Sequence, residues 1–243
     1  MNLNTNCDKT SEKDFALACE LSEKTFTHSE MIEMLRNGNL QQKQYAALNL
    51  DCLEKEEEGK ILIDNLTGCD GKIREAVALK INQLLDADSQ AVAPFLYPYP
   101  EIFADASIDI NANICRLVID STAVLRQDTR FKEIYLKKLL GFINETFAEI
   151  DKFIFRDKKY VINKQLFKLY WCLESLKLFV GDLEQAELLQ ILERASKEKE
   201  YTIREKVAQI LVLTEDERFI PLIEKLEQDE NYYVRTALQK KSL

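Results

Sequence analysis

Three observations predict an all-α fold. Six Gly and four Pro punctuate 243 residues, so few positions can serve as tight turns. Apolar residues recur at helical spacing, as in Ile32 and Leu35, then Ile61, Leu62 and Leu66, then Val77, Ile81, Leu84 and Leu85. Period-two alternation long enough for a strand is absent, and the β-branched residues sit inside helical patterns. A chain of this length buries roughly 70% of its unfolded surface, so it needs no disulfide or metal staple.

Taken in order, residues 1–12 are polar and Asn-rich and are expected to form a flexible N-terminus, with a single domain over 13–243. Ser11 with Asp14, and Thr27 with Glu30, have the spacing of capping boxes, so a helix is predicted to start at each. His28 falls in the second box and reads as a solvated first-turn residue. Breaks are marked by Asn37-Gly38-Asn39, Gly68 to Gly71, Pro94 to Pro100, Gly141, Gly181-Asp182 and Gln228 to Asn231. Between these marks the helices run roughly 10 to 18 residues, the grammar of stacked helical hairpins.

Four segments superimpose: Asp70 to Ala76, Asp109 to Arg116, Glu198 to Ala208, and Asp229 to Leu238. Each places an acidic or amide residue three before a β-branched aliphatic (Ile73, Ile114, Ile203, Val234), and in three of them Arg follows at once (Arg74, Arg204, Arg235). Cys115 takes the Arg position in the remaining one. The Asp or Asn suits an N-cap. The Arg would repeat in space, within reach of the turn acid of the neighbouring hairpin. Asp70, Arg74, Arg204, Asp229 and Arg235 are therefore expected to form a structural ladder.

The stretch Pro221-Leu-Ile-Glu-Lys-Leu226, followed by Asp229, Asn231, Val234-Arg235 and Ala237, resembles one HEAT repeat of the armadillo-type fold, in the short-repeat branch first described in phycobilisome lyases. Residues 187–213 resemble a second copy, 58–85 a third and 94–124 a looser fourth. The resemblance implies a right-handed α-solenoid (alpha-alpha superhelix) of about six HEAT-like hairpins, whose second helices line a concave binding side. Residues 126–181 depart from the pattern. Two longer hairpins are expected between Ile114 and Ile203.

Composition narrows the function. With 33 basic and 42 acidic residues the net charge is −9, which on average repels polyanions. The polar start and the lack of any apolar run near 18 residues point to a cytoplasmic protein with no membrane partner. Six cysteines without a C-x-x-C read as reduced, mostly buried thiols. His28 is the single histidine, which removes sites built on several imidazoles. Gly68-Cys-Asp-Gly71-Lys72 lacks the spacing, the Ser/Thr and the strand of a phosphate loop. No catalytic, cofactor or metal set is assigned.

Charge distribution is the more informative feature. Residues 126–168 hold eleven bases against six acids, a net of +5, so the remainder carries −14. Arg156, Lys158, Lys159, Lys164 and Lys168 lie among many aromatics there, and form either a site for an acidic partner or nucleic acid, or a solvated face over an aromatic core. Tyr97 and Tyr99, in an aromatic–proline stretch, and Tyr232 and Tyr233, opening the last repeat's second helix, are further binding candidates. The expected function is a non-enzymatic scaffold that binds a protein or peptide along its second helices. The alternatives are nucleic-acid engagement through 126–168, and a lyase- or chaperone-like factor acting on a modified protein.

Overall fold

The computed structural model describes residues 16–154 and 159–239. Ser11, Asp14, Arg156, Lys158 and the closing Lys240 to Leu243 lie outside them. The helices are α1 (16–22), α2 (His28–Asn37), α3 (Leu40–Asn49), α4 (Glu56–Asp64), α5 (Gly71–Leu96), α6 (Pro100–Ala106), α7 (Ala112–Leu125), α8 (Thr129–Ile154), α9 (Lys159–Leu176), α10 (Gln185–Ala195), α11 (Tyr201–Leu211), α12 (Ile220–Glu227) and α13 (Tyr232–Gln239). Among the described residues there is no strand. No described helix is long and apolar enough to cross a membrane.

The chain divides into two compact units, Met1–Lys132 and Glu133–Leu243. In the first, α2, α4 and α6 each pack on the helix that follows, and those second helices, α3, α5 and α7, lie side by side. In the second, α9, α11 and α13 form the corresponding row, with α10 and α12 packed against it. Within each unit this is an α-solenoid: a single hairpin cannot cover both apolar faces, and stacking joins them into a continuous core. Leu35, Leu62, Val77, Leu96, Phe103 and Ile114 are fully buried in the first unit. Leu139, Leu173, Leu188, Val207 and Val234 are their counterparts in the second.

Local chemistry sets the boundaries. Thr27 and Glu30 cap α2 reciprocally, and Asn39 with Gln42 does the same for α3. Asp70 opens α5 by accepting from the Lys72 and Ile73 amides. Inside α5 the backbone breaks at Asp88 (φ −154°, ψ 84°), and the Asp88 carboxylate restarts the helix by accepting from the Ala91 amide at 3.0 Å. The restarted turn carries Pro94, so the link expected over 94–100 shortens to Tyr97–Tyr99. Gly59 is demanded by packing, since a Cβ there would meet the Phe95 carbonyl oxygen at 2.7 Å.

Several expectations are corrected. Gly141 marks no break: it lies on the exposed side of α8, where a lone glycine costs a helix only about 1 kcal/mol. Helices α8, 26 residues, and α9, 18 residues, make one long hairpin where two were expected. Tyr135 anchors that hairpin, bonding the Ser175 hydroxyl at 2.6 Å and stacking on Phe179. Of the described cysteines only Cys115 and Cys172 are buried; Cys19, Cys52 and Cys69 are exposed, and all five are free thiols. His28 opens α2 as expected but is half-buried, its ring bonded to the buried Glu58 at 3.1 Å.

Candidate interaction surface on the second helices

The α4–α5, α6–α7, α10–α11 and α12–α13 turns are organised by one recurring cluster. Arg74 turns its Nη1 back onto the carbonyls of Gly68 and Cys69, which close the turn after α4 and have no helical partner. Its other edge reaches forward to Asp109 of the next hairpin, Nε to Oδ2 at 2.7 Å and Nη2 to Oδ1 at 3.3 Å. In the second unit Arg204 bonds the Glu198 and Lys199 carbonyls and reaches Asp229 at 2.7 and 3.0 Å. Arg235 bonds the Asp229 carbonyl. Cys115, at the Arg position, makes the same backward contact through its thiol, donating to the Asp109 carbonyl at 3.0 Å.

The acids do double duty. Asp109 and Asp229 each also accept from the amide two residues on, Asn111 and Asn231, at 2.8 Å. Those asparagines in turn cap α7 and α13. The hydrogen bond from Arg204 holds the Asp229 carboxyl below its ordinary range, and Asp229 raises Arg204 in return. Both side chains are over nine-tenths buried, where a bidentate Arg–carboxylate pair gains from the low dielectric. These residues hold hairpins together and leave little of themselves for a partner.

The second helices also carry an exposed face. In the second unit a groove of about 490 Å³ runs between α9 and the start of α11, lined by Asn163, Leu166, Phe167, Tyr170, Trp171, Glu200 and Thr202. The α9 residues fall at i, i+3, i+4, i+7 and i+8, one face of a helix. Phe167 and Tyr170 each pack edge-on against Trp171. Trp171 is buried, and its indole Nε1 has no hydrogen-bond partner among the described residues. Lys206 sits 4.5 Å over the Tyr170 ring and pairs with Glu174. Burial alone would raise the Glu174 carboxyl; hydrogen bonds from Lys177 and Lys206 outweigh it and leave the group below its usual range. Beyond the groove, Tyr201 stacks on Tyr233 at 6.0 Å, and Tyr232 meets Tyr233 edge-on. Tyr232 and Tyr233 are 65% and 59% exposed.

The first unit's counterpart is smaller and lined by no aromatic residue: about 240 Å³, bounded by Gln44, Leu48, Lys72, Glu75, Ala76 and Leu79. Glu75 is engaged by the side-chain amides of Asn111 and Asn113.

The remaining candidates fall elsewhere. Tyr97 and Tyr99 are half-buried around the short α5–α6 link. Lys159 and Lys164 are exposed on α9, while Lys168 lies over the Phe142 ring at 4.6 Å and 3.8 Å from Glu145. Arg156 and Lys158 lie outside the described residues. Of the aromatics in and just beyond the basic stretch, Phe131, Tyr135, Phe147 and Trp171 are buried, and Phe167 is exposed. Asn163, Phe167, Tyr170 and Trp171 stand at helical spacing in the sequence, and that spacing is the signal of the α9 face.

No family model matches the chain, and no curated protein matches it. Among solved structures it is similar to the designed armadillo repeat protein YIII(Dq)4CqI, at 12% identity and TM-score 0.45, over 87% of this chain and 96% of that one. It is also similar to the designed armadillo repeat protein YIII(Dq.V1)4CPAF in complex with peptide (KR)4, at 11% identity and TM-score 0.45, over the same shares.

Proposed function

We propose that the protein is a non-enzymatic helical-repeat scaffold that binds a protein or peptide partner on its second helices, with the α9–α11 groove as the anchor point. The observation that carries this reading is the aromatic lining of that groove. Phe167 stands exposed beside Tyr170 and a nearly buried Trp171, a concave apolar site edged by Asn163, Glu200 and Thr202, the combination that suits a hydrophobic anchor flanked by backbone hydrogen bonds. Residues 13–243 acting as one array, in the cytoplasm, belongs to the same proposal. The exposed Lys159 and Lys164 favour the nucleic-acid alternative less, because Lys168 beside them is already held by Phe142 and Glu145.

Selection of peptides from a random library on the full chain tests this. Enriched peptides are expected to share an aromatic or aliphatic anchor and to bind at least about tenfold more weakly to a Phe167→Ala, Tyr170→Ala variant. Peptides that bind the variant equally well would overturn the groove assignment. DNA or RNA binding that falls steeply with salt and is lost on charge reversal of Lys159 and Lys164 would establish the alternative instead.

A further inference from the structure

The only histidine of the chain is placed beside a thiol and a carboxylate. His28 opens α2, and Cys52 and Glu54 lie in the connection between α3 and α4. One ligand atom from each of the three falls within 4.8 Å of the others. We infer that His28, Cys52 and Glu54 form a binding site for a single zinc-like divalent cation, with water completing the coordination.

The donor set is the first argument. An imidazole nitrogen, a thiolate and a carboxylate are the three ligand types zinc combines, at about 2.0–2.1 Å for nitrogen, 2.3 Å for sulfur and 2.0–2.2 Å for oxygen. Around a tetrahedral ion those lengths put ligand atoms roughly 3.3–3.7 Å apart. Cys52 and Glu54 are exposed, so rotation of their side chains closes the remaining distance without moving the backbone. A hard cation such as magnesium or calcium has no use for the sulfur.

The second argument is what holds the histidine. Glu58, whose side chain is 7% exposed, takes His28 Nε2 at 3.1 Å and the Glu54 amide at 2.7 Å on the same carboxylate oxygen. One buried acid thus fixes the imidazole and the loop that carries two of the ligands. With Nε2 donating to Glu58, the other ring nitrogen keeps its lone pair, the carboxylate–histidine arrangement that orients metal ligands. Glu58 here is a positioning residue. The surroundings are negative: Glu54, Glu58 and Asp51 all lie close enough to Cys52 to act on it electrostatically. A dication that displaces the thiol proton to water neutralises part of that charge.

Zinc competition between the full-length protein and a chromophoric chelator, with cobalt as a spectroscopic substitute, tests the site. One zinc per chain, a thiolate-to-cobalt charge-transfer band, and a melting temperature that rises with zinc are expected. Cys52→Ser is expected to abolish the band. His28→Gln should weaken zinc at least about tenfold, Glu58→Gln about tenfold, and Cys69→Ser should change nothing. Circular dichroism establishes that each variant is folded. A missing band in the folded wild type, or a band and affinity that survive Cys52→Ser, would overturn the inference.

Discussion

The two units repeat the same turn and differ in what stands on it. Aligned on their ladder arginines, Arg74 and Glu75 correspond to Arg204 and Glu205, and Asp109, Asn111 and Asn113 to Asp229, Asn231 and Tyr233. The structural positions are equivalent almost to the bond: the same guanidinium edge on the same carboxylate, the same carboxylate on the amide two residues on. Two residues further, the units diverge. Asn113 folds back onto Glu75 and closes the first unit's second-helix face with hydrogen bonds. Tyr233 stacks on Tyr201, at the position of Gly71, and continues an aromatic surface beside the groove. The turn is tied to stacking, so its residues have little freedom; the face is not, and that is where the units have become different.

The strongest way to break the equivalence is to remove a turn acid. Asp229→Ala leaves Arg204, 9% exposed, with only the exposed Glu230 at 3.5 Å as a counter-charge, and is expected to cost toward the lower end of about 3–5 kcal/mol in denaturant unfolding of the full chain. Asp109→Ala, beside an 11% exposed Arg74, should cost nearly as much. A loss near 1 kcal/mol at either position would show that the ladder is a surface ion pair. Acid should act like the first mutation. The folded-state value of Asp229 is depressed below its ordinary 3.8, so its contribution is complete above that pH and is lost as the pH falls through the depressed value. Asp229→Asn is expected to flatten that part of the acid-unfolding profile.

This contrast also explains what could be read from the chain. The recurrence of Arg74 and Arg204 was legible because it is local, but the acids they reach, Asp109 and Asp229, stand five before the β-branched residue, while the residue three before it, Asp70 or Asn111, is the helix cap. Cys115 was legible as an exception but not as a substitute, since only the fold brings its thiol to the Asp109 carbonyl. The α8–α9 hairpin carries no such signature, and its long helices run through Gly141, which therefore read as a break. The groove draws on α9 and on the start of α11, about thirty residues apart, and its register depends on packing. His28 and Glu58 meet only through the pairing of α2 with α4.

A smaller effect separates the units by packing. Gly59 in the first unit lets α4 approach the second part of α5, and Gly59→Ala would force the Phe95 backbone away, at an expected cost of about 1–3 kcal/mol. Gly141→Ala in the second unit meets nothing within 4 Å and should instead stabilise α8 by up to about 1 kcal/mol. Opposite shifts in the denaturation midpoint of the two single variants are the expected outcome. The same sign for both would mean that helix propensity, and not the close approach, governs position 59.

The finest test exchanges the residues at which the units diverge. Tyr233→Asn removes the ring stacked on Tyr201 and is expected to cost about 1 kcal/mol, while weakening any peptide that extends from the groove across α13. Asn113→Tyr removes an exposed hydrogen bond to Glu75 and should cost only about 0.5 kcal/mol. Neither exchange touches the carboxylate or guanidinium of the turn, so the acid-unfolding profile should stay where it is in both variants. A profile that moves with Tyr233→Asn would tie the aromatic face to the ladder, and the separation of a fixed turn from a free surface would fail at that residue.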